Sequence, residues 1–179
     1  MSDLRFVALG LPTEYPICLL MTGLLAFECI IIGFLVPGGA RARVFKDHPQ
    51  IMEKVMALHK KEMGVTDDKQ ALKEVKSGYP DHGNGRFCQP DTISYAQWVD
   101  FNMAQRGHKN LLEQLTTICT LSLVCGLELP IVASIATGLY GLVRLLYFLL
   151  KNRVLGFILG NVCLFTLMGG ALYSASKLI

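Results

Sequence analysis

Residues 154–175 read VLGFILGNVCLFTLMGGALYSA (Val154–Ala175), without a charged side chain. A bilayer core of about 30 Å takes roughly 20 helical residues at about 1.5 Å each, so this stretch fits one crossing. Three further segments read the same way. Pro130 to Leu150 carries Arg144 as its only charge, and Tyr15 to Val36 carries only Glu28. Asn110 to Leu127 holds Glu113 near its start and is otherwise uncharged. Helices this long and apolar on all sides predict an all-α integral membrane protein, a bundle of four transmembrane helices forming one domain over residues 1–179.

Composition agrees. The chain is 52% hydrophobic and only 17% charged, against about 25% charged in an ordinary soluble protein. Of its 17 Lys/Arg and 14 Asp/Glu, 21 fall between Pro37 and Asn110. That pattern disfavours a soluble enzyme or a disordered chain. The net charge is +3, with no basic patch of the kind that tracks phosphates, so no nucleic-acid partner is expected. The leader before Tyr15 has one basic residue, Arg5, offset by Asp3 and Glu14. This is not the basic start of a signal peptide, and the first span is read as retained.

Lys/Arg bias sets the expected orientation. Arg41, Arg43 and Lys46 follow the first span, and Lys151 and Arg153 join the third to the fourth. The link around Glu128 has no positive charge. Both basic connections are therefore expected in the cytosol, with both termini and the 2–3 turn in the lumen or outside. Five of the six cysteines sit in spans and Cys88 in the cytosolic segment, so no disulfides are expected. No His/Cys cluster suggests a metal, and His48, His59 and His82 read as solvated.

The cytosolic segment, residues 38–93, is too long for a bare loop. Ile51, Val55 and Leu58 predict a helix over Gln50–Met63, and Thr66 begins a second, with Asp67 and Asp68 near its positive end. Gly78–Gly85 is turn chemistry without a phosphate-loop lysine, and reads as a structural lid or turn. Ser94 and Gln97 form a capping box, from which a helix is expected to run unbroken over about 95–127. Tyr95, Trp98 and Phe101 are expected near the headgroups.

At about 100° per residue, Asn102, Arg106, Lys109, Asn110 and Glu113 share one face of that helix, with Gln105 on its edge and His108 opposite. Tyr140, Arg144, Tyr147 and Lys151 repeat the arrangement on the third. Every deep polar residue, Glu28 and Asn161 included, falls in the expected cytosolic half. Charges in a bilayer cost several kcal/mol unless paired or wetted, so their convergence predicts a polar pocket open to the cytosol. Glu28 alone reads as structural pairing between helices. Arg106, Asn110 and Glu113 with Arg144 and Tyr147 read as a ligand site: two guanidinium groups, an amide, a carboxylate and a phenol suit an anionic, zwitterionic peptide.

The run Phe101–Glu113, FNMAQRGHKNLLE, resembles the second-helix signature of the MAPEG proteins, membrane-associated proteins in eicosanoid and glutathione metabolism. The resemblance is closest to the microsomal glutathione transferase and leukotriene C4 synthase branch. Ala40-Arg41-Ala42-Arg43 with Pro49 resembles the basic stretch after that family's first helix, and Arg144-Leu145-Leu146-Tyr147-Phe148 its third-helix arginine and tyrosine. The resemblance implies a homotrimer of four-helix bundles with glutathione, a co-substrate, at each subunit interface. It assigns Arg106, Asn110 and Glu113 to one glutathione, with His108 and Arg41 reaching a neighbour's site. Segment 50–93 is enlarged relative to the family. Two positions depart from the enzyme branch, which has tyrosines where this chain has Gln114 and Lys151. The thiol-activating arginine would be Arg153, across an alignment gap.

An arginine beside the sulfur favours thiolate over a thiol of pKa about 8.5. The implied reaction is conjugation of a lipophilic electrophile from the bilayer, or reduction of a lipid hydroperoxide. The endoplasmic reticulum or another internal membrane is the expected location. The alternative is a non-catalytic member that binds a lipid and presents it to a partner.

Overall fold

The structure, a computed structural model, describes residues 10–76, 93–150 and 153–177. It is helical, with no strand among the described residues. Helix α1 spans Tyr15–Gly33 and passes through a π-helical turn, Phe34–Gly38, into α2, Gly39–Asp47. Then come α3 (Pro49–Met63), α4 (Asp68–Lys76), α5 (Tyr95–Cys125), α6 (Pro130–Leu150) and α7 (Arg153–Lys177). Three helical stretches are long and apolar enough to cross a membrane: Tyr15–Asp47, Pro130–Phe148 and Gly156–Lys177. Residues 110–125, most of the remaining expected span, belong to α5.

Helicity does not stop at Val36, where the first span was expected to end. Proline lacks the N–H that an α-helix needs at that point, and the wider π turn takes up the missing bond while helicity continues to Asp47. Other boundaries follow local chemistry. Pro49 opens α3, where its missing donor is harmless, and Gly64 closes it at φ 69°. The Asp67 carboxylate accepts from the backbone N–H groups of Lys69 (3.3 Å) and Gln70 (3.0 Å), capping α4. Gln97 N–H donates to Ser94 Oγ (3.3 Å), and Ser94 N–H donates to Gln97 Oε1 (3.2 Å), so the capping box forms at the start of α5.

The chain divides into two compact units, Met1–Ile32 with Lys109–Ile179, and Gly33–His108. The second has an apolar core: Ala40, Val44, Ile51, Val55, Val75, Ile93 and Phe101 are buried together, flanked by Phe45, Met52, Met56 and Trp98. Two sequence expectations change here. Phe101, expected near headgroups, is 4% exposed in this core, because its helical position turns it toward α2 and α3 residues while Tyr95 stacks on Trp98 at 5.9 Å. His59, expected in solvent, is 5% exposed. Its Nε2 lies 2.7 Å from Glu74 Oε2, a partner that makes burial of an imidazole affordable. His82 lies outside the described residues, as do Gly78–Gly85 and Cys88.

The first unit inverts this pattern. Thr137 Oγ1 donates to Ser122 Oγ (2.8 Å), Thr22 Oγ1 lies 3.1 Å from the same oxygen, and Cys18 Sγ donates to Ser122 C=O (3.3 Å). Helices α1, α5 and α6 are thereby joined through small polar groups. Ser174 Oγ donates to Cys125 C=O (3.1 Å) and ties α7 to α5. Glycines let backbones close in: a Cβ at Gly126 would lie 2.7 Å from Cys18 Sγ, and one at Gly170 would collide with Cys125 Sγ. Outward, Leu20, Phe27, Ile30, Ile135, Leu142, Phe157 and Phe165 are exposed. Apolar surface on this scale belongs against hydrocarbon, where small residues and interhelical hydroxyl bonds join buried apolar side chains such as Leu111, Ile118 and Leu167 in holding helices together.

Candidate functional site

Helix α5 is unbroken from Tyr95 to Cys125, so the helical spacing assumed for its polar residues holds. Arg106, Lys109, Asn110 and Glu113 are all exposed. Glu113 keeps 61% of its side chain accessible, with Lys109 Nζ 3.9 Å away in a loose i,i+4 pair. Such a pair holds its carboxylate weakly and leaves it open to another donor. Asn102 departs from the row: its Nδ2 donates to Trp98 C=O (2.9 Å), and it is half-buried.

The remaining expected site residues are placed differently. His108 is half-buried with its ring against Gly33, where an added Cβ would meet Nε2 at 2.7 Å. Gly33 is therefore a close-approach glycine. Arg41 is half-buried; its Nη2 donates to Val75 C=O (3.4 Å), and its guanidinium lies over the Phe45 ring at 5.3 Å. Tyr147 is half-buried, packs on Gly156 and meets Phe148 edge-on at 5.3 Å. The side chain of Arg153, the expected thiol activator, lies outside what the structure describes, as does Lys151.

Arg144 is buried, 7% exposed. Its Nη2 donates to Gln114 Oε1, and its guanidinium stands over the Tyr140 ring at 4.9 Å. The Tyr140 hydroxyl donates to the same Gln114 oxygen at 2.7 Å. One amide oxygen on α5 thus gathers a guanidinium and a phenol from α6. Sequence reasoning noted Gln114 only as a departure from a tyrosine. The available signal was that Tyr140 and Arg144 stand one helical turn apart in an apolar span, each needing a partner there.

Glu28 is also inside this unit, against Gly141, with Oε1 buried and unpartnered. The inter-helix pairing expected for it does not form among the described residues. Asn161 Nδ2 donates to Phe157 C=O (2.9 Å) within its own helix. Among the described residues, no group of three or more His, Cys, Asp or Glu could hold a metal.

Three long apolar helices, an apolar exterior and a polar row on α5 define a helical, multi-pass membrane protein. A model of the MAPEG family matches residues 19–173, and the chain belongs to that family. No curated protein and no solved structure matches it.

Proposed function

We propose that the protein is a glutathione-dependent transferase or peroxidase of an internal membrane such as the endoplasmic reticulum. It acts as a homotrimer of four-span subunits on lipophilic electrophiles or lipid hydroperoxides. Family membership supports a role in glutathione or lipid chemistry at a membrane. The observation that carries the finer reading is the exposure of Arg106, Asn110 and Glu113 on one helix. Together they offer a cation for a carboxylate, a carboxylate for an ammonium group and an amide for a peptide bond, as a zwitterionic tripeptide requires.

In this reading α5 binds the peptide and an arginine, assigned to Arg153, holds the sulfur as thiolate. The thiolate pair forms the new S–C bond, and the displaced pair leaves with the electrophile's leaving group or collects on its oxygen. The apolar partner arrives from the bilayer. A second reading, a lipid-presenting scaffold without catalysis, draws support from Gln114 and Lys151 standing where the resemblance expects tyrosines.

Calorimetric titration of the purified protein in detergent should detect glutathione binding, weakened about tenfold or more by Arg106→Ala. Absence of binding at millimolar glutathione would refute the enzyme reading. Binding without thiolate absorbance or conjugation would favour the scaffold. Unchanged turnover in Arg153→Ala would remove that residue from catalysis.

A further inference from the structure

Gln114 does something its chemistry makes unusual. Its Oε1 accepts from both the Tyr140 hydroxyl and Arg144 Nη2, filling the two lone pairs of an amide oxygen. Both bonds are neutral at the acceptor end, so they orient the guanidinium without cancelling its charge. The Tyr140 ring beneath it is neutral as well. Among the described residues no carboxylate lies within 4.0 Å of Arg144, and its Nε is buried without a hydrogen-bond partner. Glu28 reaches the same helix at Gly141, one turn from Arg144, yet the two do not pair.

A buried guanidinium is normally held by a carboxylate, which neutralises it. Here the position that would carry that carboxylate carries its uncharged isostere. We infer that Gln114 is a positioning residue that holds Arg144 as an uncompensated cation, so that the interior beside α5 and α6 attracts an anionic group of the bound ligand, a carboxylate or thiolate. This rests on the reading of the protein as a glutathione binder for the ligand's identity. The uncancelled charge itself does not depend on it.

Two near-isosteric variants of the full chain in detergent separate the possibilities. Gln114→Glu keeps the shape and supplies the missing charge; Gln114→Met keeps the bulk and removes the acceptor. At neutral pH, Gln114→Glu should melt at or above the wild-type temperature and bind glutathione at least about tenfold more weakly. Its thermal advantage should vanish in acid, where the introduced carboxyl is protonated and the pair is lost. Gln114→Met should lower the melting temperature and also weaken binding by the folded protein. If Gln114→Glu melts lower at neutral pH, with no gain over acid, the charge is already compensated and the inference is overturned. It is also overturned if Gln114→Glu binds glutathione as wild type does, or if Gln114→Met loses stability alone, since a merely structural clamp behaves that way. If wild type binds no glutathione while Gln114→Glu still gains stability at neutral pH, the uncompensated cation stands, but the glutathione reading and the inferred role toward its anionic groups fall.

Discussion

The unit formed by Gly33–His108 buries Ile51, Val55, Val75 and Phe101 and places Lys54, Glu62 and Asp68 outside. The unit formed by Met1–Ile32 and Lys109–Ile179 buries Thr22, Ser122, Ser134, Thr137 and Ser174 among apolar side chains such as Leu111, Ile118 and Leu167, and also places many leucines, isoleucines and phenylalanines outside. The two units thus share buried apolar side chains and differ in what faces outward and in the polar groups set between helices. In the first case water drives apolar side chains together. In the second the surroundings are as apolar as leucine itself, so association relies on close backbone approach and on hydroxyl and thiol groups satisfied between helices. The difference explains why charge content differs so sharply along the sequence.

Substitutions can break this comparison or sharpen it. The largest effect is expected from a cavity where water exclusion is the organising force. Ile51→Ala, at a site 1% exposed, should destabilise the Gly33–His108 unit by about 3 kcal/mol. Hydrogen exchange of α3 and α4 amides reads this directly, and a loss under about 1 kcal/mol would mean the core is not held by apolar burial.

In the membrane unit added volume, rather than lost volume, should be the damaging change. Gly126→Val places atoms against Cys18 Sγ, the Tyr15 ring and the Ser122 carbonyl, with the Cβ contacts at 2.7, 3.0 and 3.1 Å. A cost of about 2 kcal/mol is expected. Thermal unfolding in detergent, unchanged from wild type, would show that the helices have room there and that close approach is not what binds them.

The smallest effect concerns the exposed side of the His59–Glu74 pair. Hydrogen bonds from Gln70 and His59 hold the Glu74 carboxyl below its ordinary value of 4.5. A carboxyl depressed in the folded state contributes stability that is complete above its unfolded pKa and disappears as pH falls through the folded one. Amide protection in α4 should therefore fall in acid, and Glu74→Gln should abolish that pH dependence. Equal acid sensitivity in wild type and variant would place the effect elsewhere. Because Glu74 is half-exposed, water screens much of the interaction, and the change is smaller than either packing effect.

Much of the fold was legible from local chemistry. Hydropathy found the apolar segments, the Ser94–Gln97 pair marked the start of α5, and Asp67 with Asp68 marked the start of α4. Periodicity correctly put Arg106, Asn110 and Glu113 on one unbroken helix. It failed where the outcome depends on what lies opposite. His59 looked like one more polar residue in a polar stretch until Glu74, fifteen residues away, was folded against it. Phe101 looked interfacial beside Tyr95 and Trp98, but it is buried in the same core as Val44 and Ile51. The first span was expected to run from Tyr15 to Val36, and the π turn carries helicity on to Asp47.

The sequence by itself determined the class of protein, its helical segments, their caps and its family, because these follow from transfer free energy, hydrogen-bond demand within a few residues, and a matched pattern of residue types. Tertiary structure decided that Gln114, Tyr140 and Arg144 meet at one oxygen, that Glu28 packs beside Gly141, and that His108 packs on Gly33. Helical periodicity fixes the direction in which a side chain leaves its own helix. Which group from another helix stands there to receive it is set by packing across sequence separations that no local pattern encodes.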